Sequence, residues 1–221
     1  MKHLGLGLLL FLLPCLTLQA KVARFDLRDV GSRNLVAFVS DALLERTVGI
    51  SSTIAGWLEL DPEKLNDGIR GEIEIDFRNF QTGIDQRNQM IREKLFVTPE
   101  FPIASLFPGK VVSVAKTRLI ASVPTELKSE VAFKWRGVTH VQILPFKIVY
   151  LPQSEITKQR LPGNLIRLSS TFDLDLGAFN IQIPENLAPR FSRMVGMTID
   201  VVGSDQSPAL SIQTDAPKPK E

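Results

Sequence analysis

Hydrophobic and polar residues alternate with a period of two along several stretches of the chain. Residues 69–77 show this most clearly, with apolar residues on one face and charged residues on the other: Ile69, Ile73, Ile75 and Phe77 against Arg70, Glu72, Glu74 and Asp76. The pattern recurs at residues 128–136 and 166–176. Since successive side chains of a β-strand point to opposite sides, each stretch predicts a strand with one buried face.

Further stretches of strand length lie between residues that favour turns. These strand candidates are Asn34–Ser40, Ser51–Leu60, Ile103–Leu106, Val111–Val123, Val138–Leu151 and Met197–Gly203. Pro108-Gly109 and Gly137 are each predicted to occupy a turn. Pro145 lies inside a strand candidate, where its missing N–H predicts an edge position or a bulge. About seven to nine strands with short connections predict an all-β sandwich or barrel.

Two segments depart from the β pattern. Asp85 to Leu95 contains no turn residue and places Met90, Ile91 and Leu95 close to one side, which predicts a single short helix. Residues 204–221 are polar and proline-containing without periodicity, which predicts a disordered tail. Because no linker interrupts residues 25–203, we expect residues 21–203 to form one domain.

The start of the chain has the layout of an export signal. A basic residue is followed by an uninterrupted apolar run at residues 4–13 and by a small residue at Ala20. This run is shorter than the roughly 20 residues that a spanning helix needs, so a signal peptide over residues 1–20 is favoured over a membrane anchor. We therefore expect a periplasmic protein that is not transmembrane after cleavage, with a lipoprotein anchored through Cys15 as the alternative.

The composition excludes most common catalytic, disulfide and metal sites. Lys plus Arg number 26 against 24 Asp plus Glu, and the net charge of +2 gives no strong field to attract nucleic acid. Cys15 is the only cysteine, and His3 and His140 are the only histidines. These residues offer no disulfide framework and no Cys/His metal site. Since His140 follows a predicted turn, it is expected to be solvated, and we predict no catalytic residue, metal or cofactor.

Three stretches together resemble the YceI-like family. They are TGIDQRNQMIREKLFVTPEFPIASL at residues 82–106, VAFKWRGVTHVQILPFKI at residues 131–148, and LIRLSSTFDLDLGAFNIQIP at residues 165–184 followed by MTIDVVG. They are similar to the family's two-arginine helix region, its central hairpin with a Gly-Val-Thr turn, and its closing elements. A weaker likeness at FVSDALLERTVGISSTIAGWLELDP extends the coverage to about residues 36–203. The ordered set is more specific than any one stretch.

The resemblance implies a fold and a ligand class. It implies a lipocalin-like, eight-stranded antiparallel β-barrel in the periplasm, with one short helix after the third or fourth strand. It also implies an apolar cavity, which in some members carries a polyisoprenoid chain. This sequence departs from the common pattern at Asn88 and Met90, where many members have Asp and His, and at DLGAFN in the closing strand. If those polar groups contact the ligand's head group in other members, this protein prefers a different lipid or none.

The helix keeps the family's two arginines, Arg87 and Arg92. Five residues separate them, which corresponds to about 140° around a helix, so they need not face one ligand. Isolated basic side chains on helices are usually solvated. Both arginines are therefore predicted to be surface residues.

Apolar residues on the predicted buried faces are the candidates for lining a ligand site. They are Phe38, Trp57, Ile73, Ile75, Phe77, Phe133, Trp135, Phe172 and Leu174. Any barrel or sandwich core needs such a face, so the sequence leaves open whether the interior is hollow or filled. The predicted function is non-catalytic binding of an isoprenoid, a quinone or a fatty acyl chain. The alternatives are a filled barrel that acts through its surface as an interaction or stress-response module and, ranked last, a hydrolase. A monomer and a homodimer both remain open.

Overall fold

The computed structural model describes residues 22–206, so the predicted signal peptide and residues 207–221 of the predicted tail lie outside the described part of the chain. Ten antiparallel strands make up about half of it. They are β1 (Ala23–Asp26), β2 (Leu35–Asp41), β3 (Arg46–Ser51), β4 (Ile54–Leu60), β5 (Ile69–Asp76), β6 (Ile103–Val114), β7 (Thr125–Trp135), β8 (Val138–Leu151), β9 (Leu165–Asp175) and β10 (Met194–Ser204). A short helix, α1 (Asp85–Met90), continues into a π-helical turn at Ile91–Leu95.

The strands form a closed sheet. Their order is β1-β4-β5-β6-β7-β8-β9-β10-β2-β3, and β1 also pairs with β10 through Asp26 and Ser204. Because β10 pairs with both β1 and β2, these two strands share one position in the sheet. β3 and β4, which pair with β2 and β1 respectively, share the next position. The result is the eight-stranded antiparallel barrel that the family resemblance implied, with one short helix. The helix follows the fifth strand, β5, and not the third or fourth as expected, because the short β1 and the break between β3 and β4 add strands before it.

The central hairpin has the geometry that the sequence predicted. β8 begins and ends at the predicted residues, and β7 reaches it through Arg136 and Gly137. Both turn residues have positive φ, 51° and 76° respectively. Two left-handed residues make a type I′ turn, whose twist matches that of the strands it joins. The predicted turn at Gly137 is therefore confirmed.

Strand β6 shows that the turn predicted at Pro108-Gly109 was wrong. β6 runs through both residues, and its pairing with β7 shifts register just after Pro108 and again at Val111. Such bulges absorb extra residues, so a proline without an N–H can remain in the strand. The strand predicted to reach Val123 ends instead at Val114.

Pairing between β8 and β9 is incomplete. The ladder joins residues 147–151 of β8 to residues 165–169 of β9, and the Ser170 hydroxyl donates to the Pro145 carbonyl oxygen at 2.6 Å. Beyond Pro145, residues 138–145 of β8 have no ladder to residues 170–175 of β9. We call this gap the β8–β9 seam. It gives Pro145 the edge position that its missing N–H predicted.

A buried carboxylate lies in the connection between β1 and β2. The Asp29 side chain is buried and lies 2.9 Å from the Arg33 guanidinium and 2.8 Å from that of Arg160. Burial alone would raise the pKa of Asp29, but hydrogen bonds from the Arg33 side chain and from the Gly31 and Arg33 amides outweigh it, and Arg160 adds a favourable charge. The pKa of Asp29 is therefore below its usual value.

Candidate functional site

Eight of the nine ligand-lining candidates point into the barrel and pack closely there. Phe38, Ile73, Ile75 and Phe133 are 0% exposed, Phe77, Trp135 and Leu174 are 1% exposed, and Phe172 is 7% exposed. These low values leave almost no room for a water molecule beside the side chains. The interior is therefore apolar and filled at these positions, and their role in lining a ligand stays a prediction.

Trp57 lies elsewhere. Its neighbours Leu58 and Leu60 are buried, but Trp57 itself is half-exposed on the outer face of β4. The Arg24 guanidinium lies 3.9 Å from the centre of its ring. The expectation that Trp57 faces the interior was wrong, because the period-two frame set by Leu58 and Leu60 places it outside.

An aromatic cluster fills the barrel end near α1. The Phe77 and Trp135 rings stack with centroids 4.2 Å apart, and Phe133 lies 5.1 Å from Phe179. The Trp135 indole N–H donates to the Phe101 carbonyl oxygen at 3.2 Å, which satisfies its buried polar group. Further members of the cluster come from loops and the helix, and the sequence reasoning missed them: Phe80, Phe96, Phe179 and Phe191.

Arg87 belongs to a polar cluster at the start of α1. Its guanidinium forms an ion pair with Glu45 and donates to the Thr82 hydroxyl and carbonyl oxygens at 2.9 and 2.7 Å. Asn88 is buried, and its carbonyl oxygen accepts from the Thr82 amide at 2.8 Å while its amide donates to Gln81 at 2.7 Å. The surface position predicted for Arg87 was wrong, because Glu45 approaches it from a distant hairpin.

Beside this cluster, a cleft opens at the barrel rim, and we call it the mouth cleft. Its volume is about 280 Å³, and its lining combines charged and apolar groups: Glu45, Thr47, Ile84, Gln86, Arg87, Met90, Leu187, Arg190 and Phe191. The Thr47 hydroxyl is buried there without a hydrogen-bond partner among residues 22–206. Phe191 forms the inner wall, and its ring lies 6.1 Å from Phe38 and 6.4 Å from Phe96. The mouth cleft therefore joins a polar rim to the aromatic core.

The remaining candidates among the described residues are the histidine, a metal site and a membrane-spanning helix. His140 is exposed, with its ring 6.3 Å from Phe179. Between residues 22 and 206, no group of three His, Cys, Asp or Glu side chains is arranged to hold a metal ion. Within the same range, no helix has the length and apolar character needed to cross a membrane.

Comparison with known proteins identifies the family. A model of the YceI-like domain matches residues 30–203. The chain belongs to the YceI-like family. Comparison with curated protein sequences gives no match.

Solved structures show how the YceI-like fold of this chain compares with others. It is similar to a polyisoprenoid binding domain from Saccharophagus degradans, with a TM-score of 0.60 and 16% identity over 83% of this chain and 99% of that one. It is also similar to BcnA from Burkholderia cenocepacia, with a TM-score of 0.59 and 14% identity over 79% and 99%. The YceI protein of Campylobacter jejuni gives a TM-score of 0.52 and 13% identity over 69% and 82%.

Proposed function

We propose that the protein binds an apolar, lipid-type molecule inside its barrel, without catalysis. An isoprenoid, a quinone and a fatty acyl chain all match the apolar character of the interior, which must open to admit them. Membership of the YceI-like family supports this proposal, as does the similarity to a polyisoprenoid binding domain. The observation that carries it is the mouth cleft, where unpartnered and charged polar groups meet the aromatic core at one opening. An amphiphile has the same division between a polar end and an apolar chain.

Entry of a chain requires the packed interior to rearrange at Phe191. Exposing a buried aromatic ring costs about 1.5–3 kcal/mol, whereas each methylene removed from water contributes about 0.8 kcal/mol. About four buried methylenes therefore offset the displacement of Phe191. Longer chains contribute net affinity, which favours ligands with at least two isoprene units or an equivalent acyl length.

A filled barrel that acts through its surface is the second candidate. The near-zero exposure of the interior side chains favours it, since a hollow barrel would expose part of each lining side chain to the cavity. The two candidates differ in whether an added lipid stabilises the protein. A ligand that binds only the folded state raises stability, whereas a filled barrel does not respond.

Native mass spectrometry of protein purified from its own host tests the proposal. Lipid binding predicts an extra mass of one lipid per protein, which organic extraction removes and added geranylgeraniol, quinone or palmitate restores. In urea unfolding, the restored complex should be more stable than the extracted protein. If none of these three compounds binds or stabilises the extracted protein, the lipid proposal fails and the surface function takes its place.

We also propose that this binding takes place in the periplasm after removal of residues 1–20. The basic start and short apolar run support this location. Intact-mass measurement of the exported protein should then give a chain that begins at Lys21. A diacylglyceryl mass on Cys15 would instead make the protein a membrane-anchored lipoprotein.

A further inference from the structure

The β8–β9 seam leaves backbone groups of β8 without partners. Because the β7–β8 turn has two residues, Trp135 and Val138 form its closing hydrogen-bonded pair, and the even-numbered residues of β8 bond to β7. The N–H and C=O groups of Thr139, Val141 and Ile143 therefore point toward β9. No described residue forms a backbone hydrogen bond with them. A row of free groups of this kind is a template for another strand.

At residues 139–143 the side chains along this edge do not protect it, and Pro145 shields only the end of the seam beside the ladder. Natural edge strands are commonly shielded by lysine, proline or a bulge. Here the residues are β-branched, and Val141 and Ile143 are 61% and 56% exposed. The edge thus offers both apolar surface and unsatisfied polar groups.

A groove with positive charge lies at the foot of the seam. Its volume is about 610 Å³, and it crosses β6, β7, β8 and β9. Leu127 and Phe146 beneath it are buried, so the outward-facing side chains form its surface. These include two lysines beside an apolar floor: Lys128 and Lys147 with Val114, Ala115 and Pro145. Glu126 lies 3.9 Å from Lys147, and no described carboxylate forms an ion pair with Lys128.

We propose that residues 139–143 of β8 bind an extended segment of a partner protein by strand addition. Alternating N–H and C=O groups on β8 require the same alternation in the occupant, which a polypeptide supplies and a lipid does not. Val141 and Ile143 select β-branched residues at alternate positions of the partner strand. Lys128 and Lys147 select acidic residues at the end that reaches the groove. This site is separate from the barrel interior and does not depend on lipid binding.

Two synthetic peptides test the proposal. Each has three Thr-Val repeats with two aspartates, placed at the N-terminus in one peptide and at the C-terminus in the other. Binding is measured by fluorescence anisotropy, and amide hydrogen exchange is followed by NMR. The peptide whose aspartates meet the groove should bind, and the amides of Thr139, Val141 and Ile143 should change from fast to slow exchange.

Matched variants separate strand addition from simple adhesion. Val141→Lys should weaken binding at least tenfold, whereas Met194→Lys, at a position 49% exposed on a strand paired on both sides, should leave it unchanged. Joint replacement of Lys128 and Lys147 by Gln should weaken binding several-fold and reduce its salt dependence.

Three results would overturn the proposal. If a peptide N-methylated at the odd-numbered amides and one N-methylated at the even-numbered amides both bind as tightly as the parent peptide, backbone pairing is not used. Slow exchange of the edge amides in the free protein would show that the edge is already covered. Concentration-dependent self-association in sedimentation, abolished by Val141→Lys, would assign the edge to a second copy of this chain.

Discussion

Replacing Phe191 by Ala should lower the stability of the folded protein but raise its affinity for an apolar chain. Phe191 is buried between the mouth cleft and the aromatic core. Removal of a core phenylalanine ring costs about 3–5 kcal/mol, a large share of the roughly 5–15 kcal/mol that stabilise a domain. The ring would no longer have to be displaced, which removes about 1.5–3 kcal/mol from the cost of binding. Since 1.4 kcal/mol is a factor of ten, affinity should rise about 10- to 150-fold.

Urea unfolding of the extracted protein and calorimetric titration with decylubiquinone would measure the two effects. Phe25→Ala is the matched control, because Phe25 is equally buried but lies on β1, in the part of the barrel away from α1. It should lower stability by a similar amount and leave affinity unchanged. If both variants lose stability and neither gains affinity, the chain does not enter past Phe191.

Three further changes probe other parts of the structure. Gly137→Val should destabilise the fold by about 1 kcal/mol or more in urea unfolding. A Cβ at this position would meet no neighbour, so the cost comes from the positive φ alone. Gly109→Ala, at a glycine without positive φ, is the control and should cost less. Asp29→Asn should lower the free energy of unfolding at pH 7. The difference between wild type and variant should shrink as the pH falls below 3.8, the usual pKa of an aspartate, because a carboxyl with a lowered pKa contributes stability only while it is ionised. A difference that stays constant with pH would contradict the buried pairing. Thr47→Val should raise the stability of the extracted protein by about 1 kcal/mol, because it removes an unpartnered hydroxyl. It should also weaken the binding of ligands with a polar head relative to that of an alkane of equal length. If stability and both affinities stay unchanged, the ligand does not bind at the mouth cleft.

The sequence predicted the regular part of the barrel well, because alternation and turn chemistry are local. β8 was predicted with its observed bounds, and the hairpin at Gly137 followed from the interruption between two alternating stretches. β1 was missed because four residues are too few to show a period. The strand through Pro108 was missed because paired bulges make a proline tolerable only in the context of the neighbouring strand.

Less of the candidate site than of the barrel could be predicted from the sequence. Phe96, Phe179 and Phe191 come from irregular segments, where no periodicity shows which side chains are buried. The contact of Arg87 with Glu45 joins residues 42 positions apart, and no local pattern encodes it. Alternation could have placed Trp57 outside, since buried Leu58 and Leu60 fix the frame of its strand.

The tryptophans provide the most direct test of lipid binding in the barrel. Trp135 lies inside and Trp57 outside, and they are the chain's two tryptophans. Trp57→Phe and Trp135→Phe therefore each leave one reporter, whose fluorescence can be followed while extracted protein is titrated with a brominated fatty acid that quenches on contact. Binding inside the barrel predicts saturable quenching of Trp135 at one acyl chain per protein, with little effect on Trp57. Quenching of Trp57 alone, or of neither tryptophan, would contradict it.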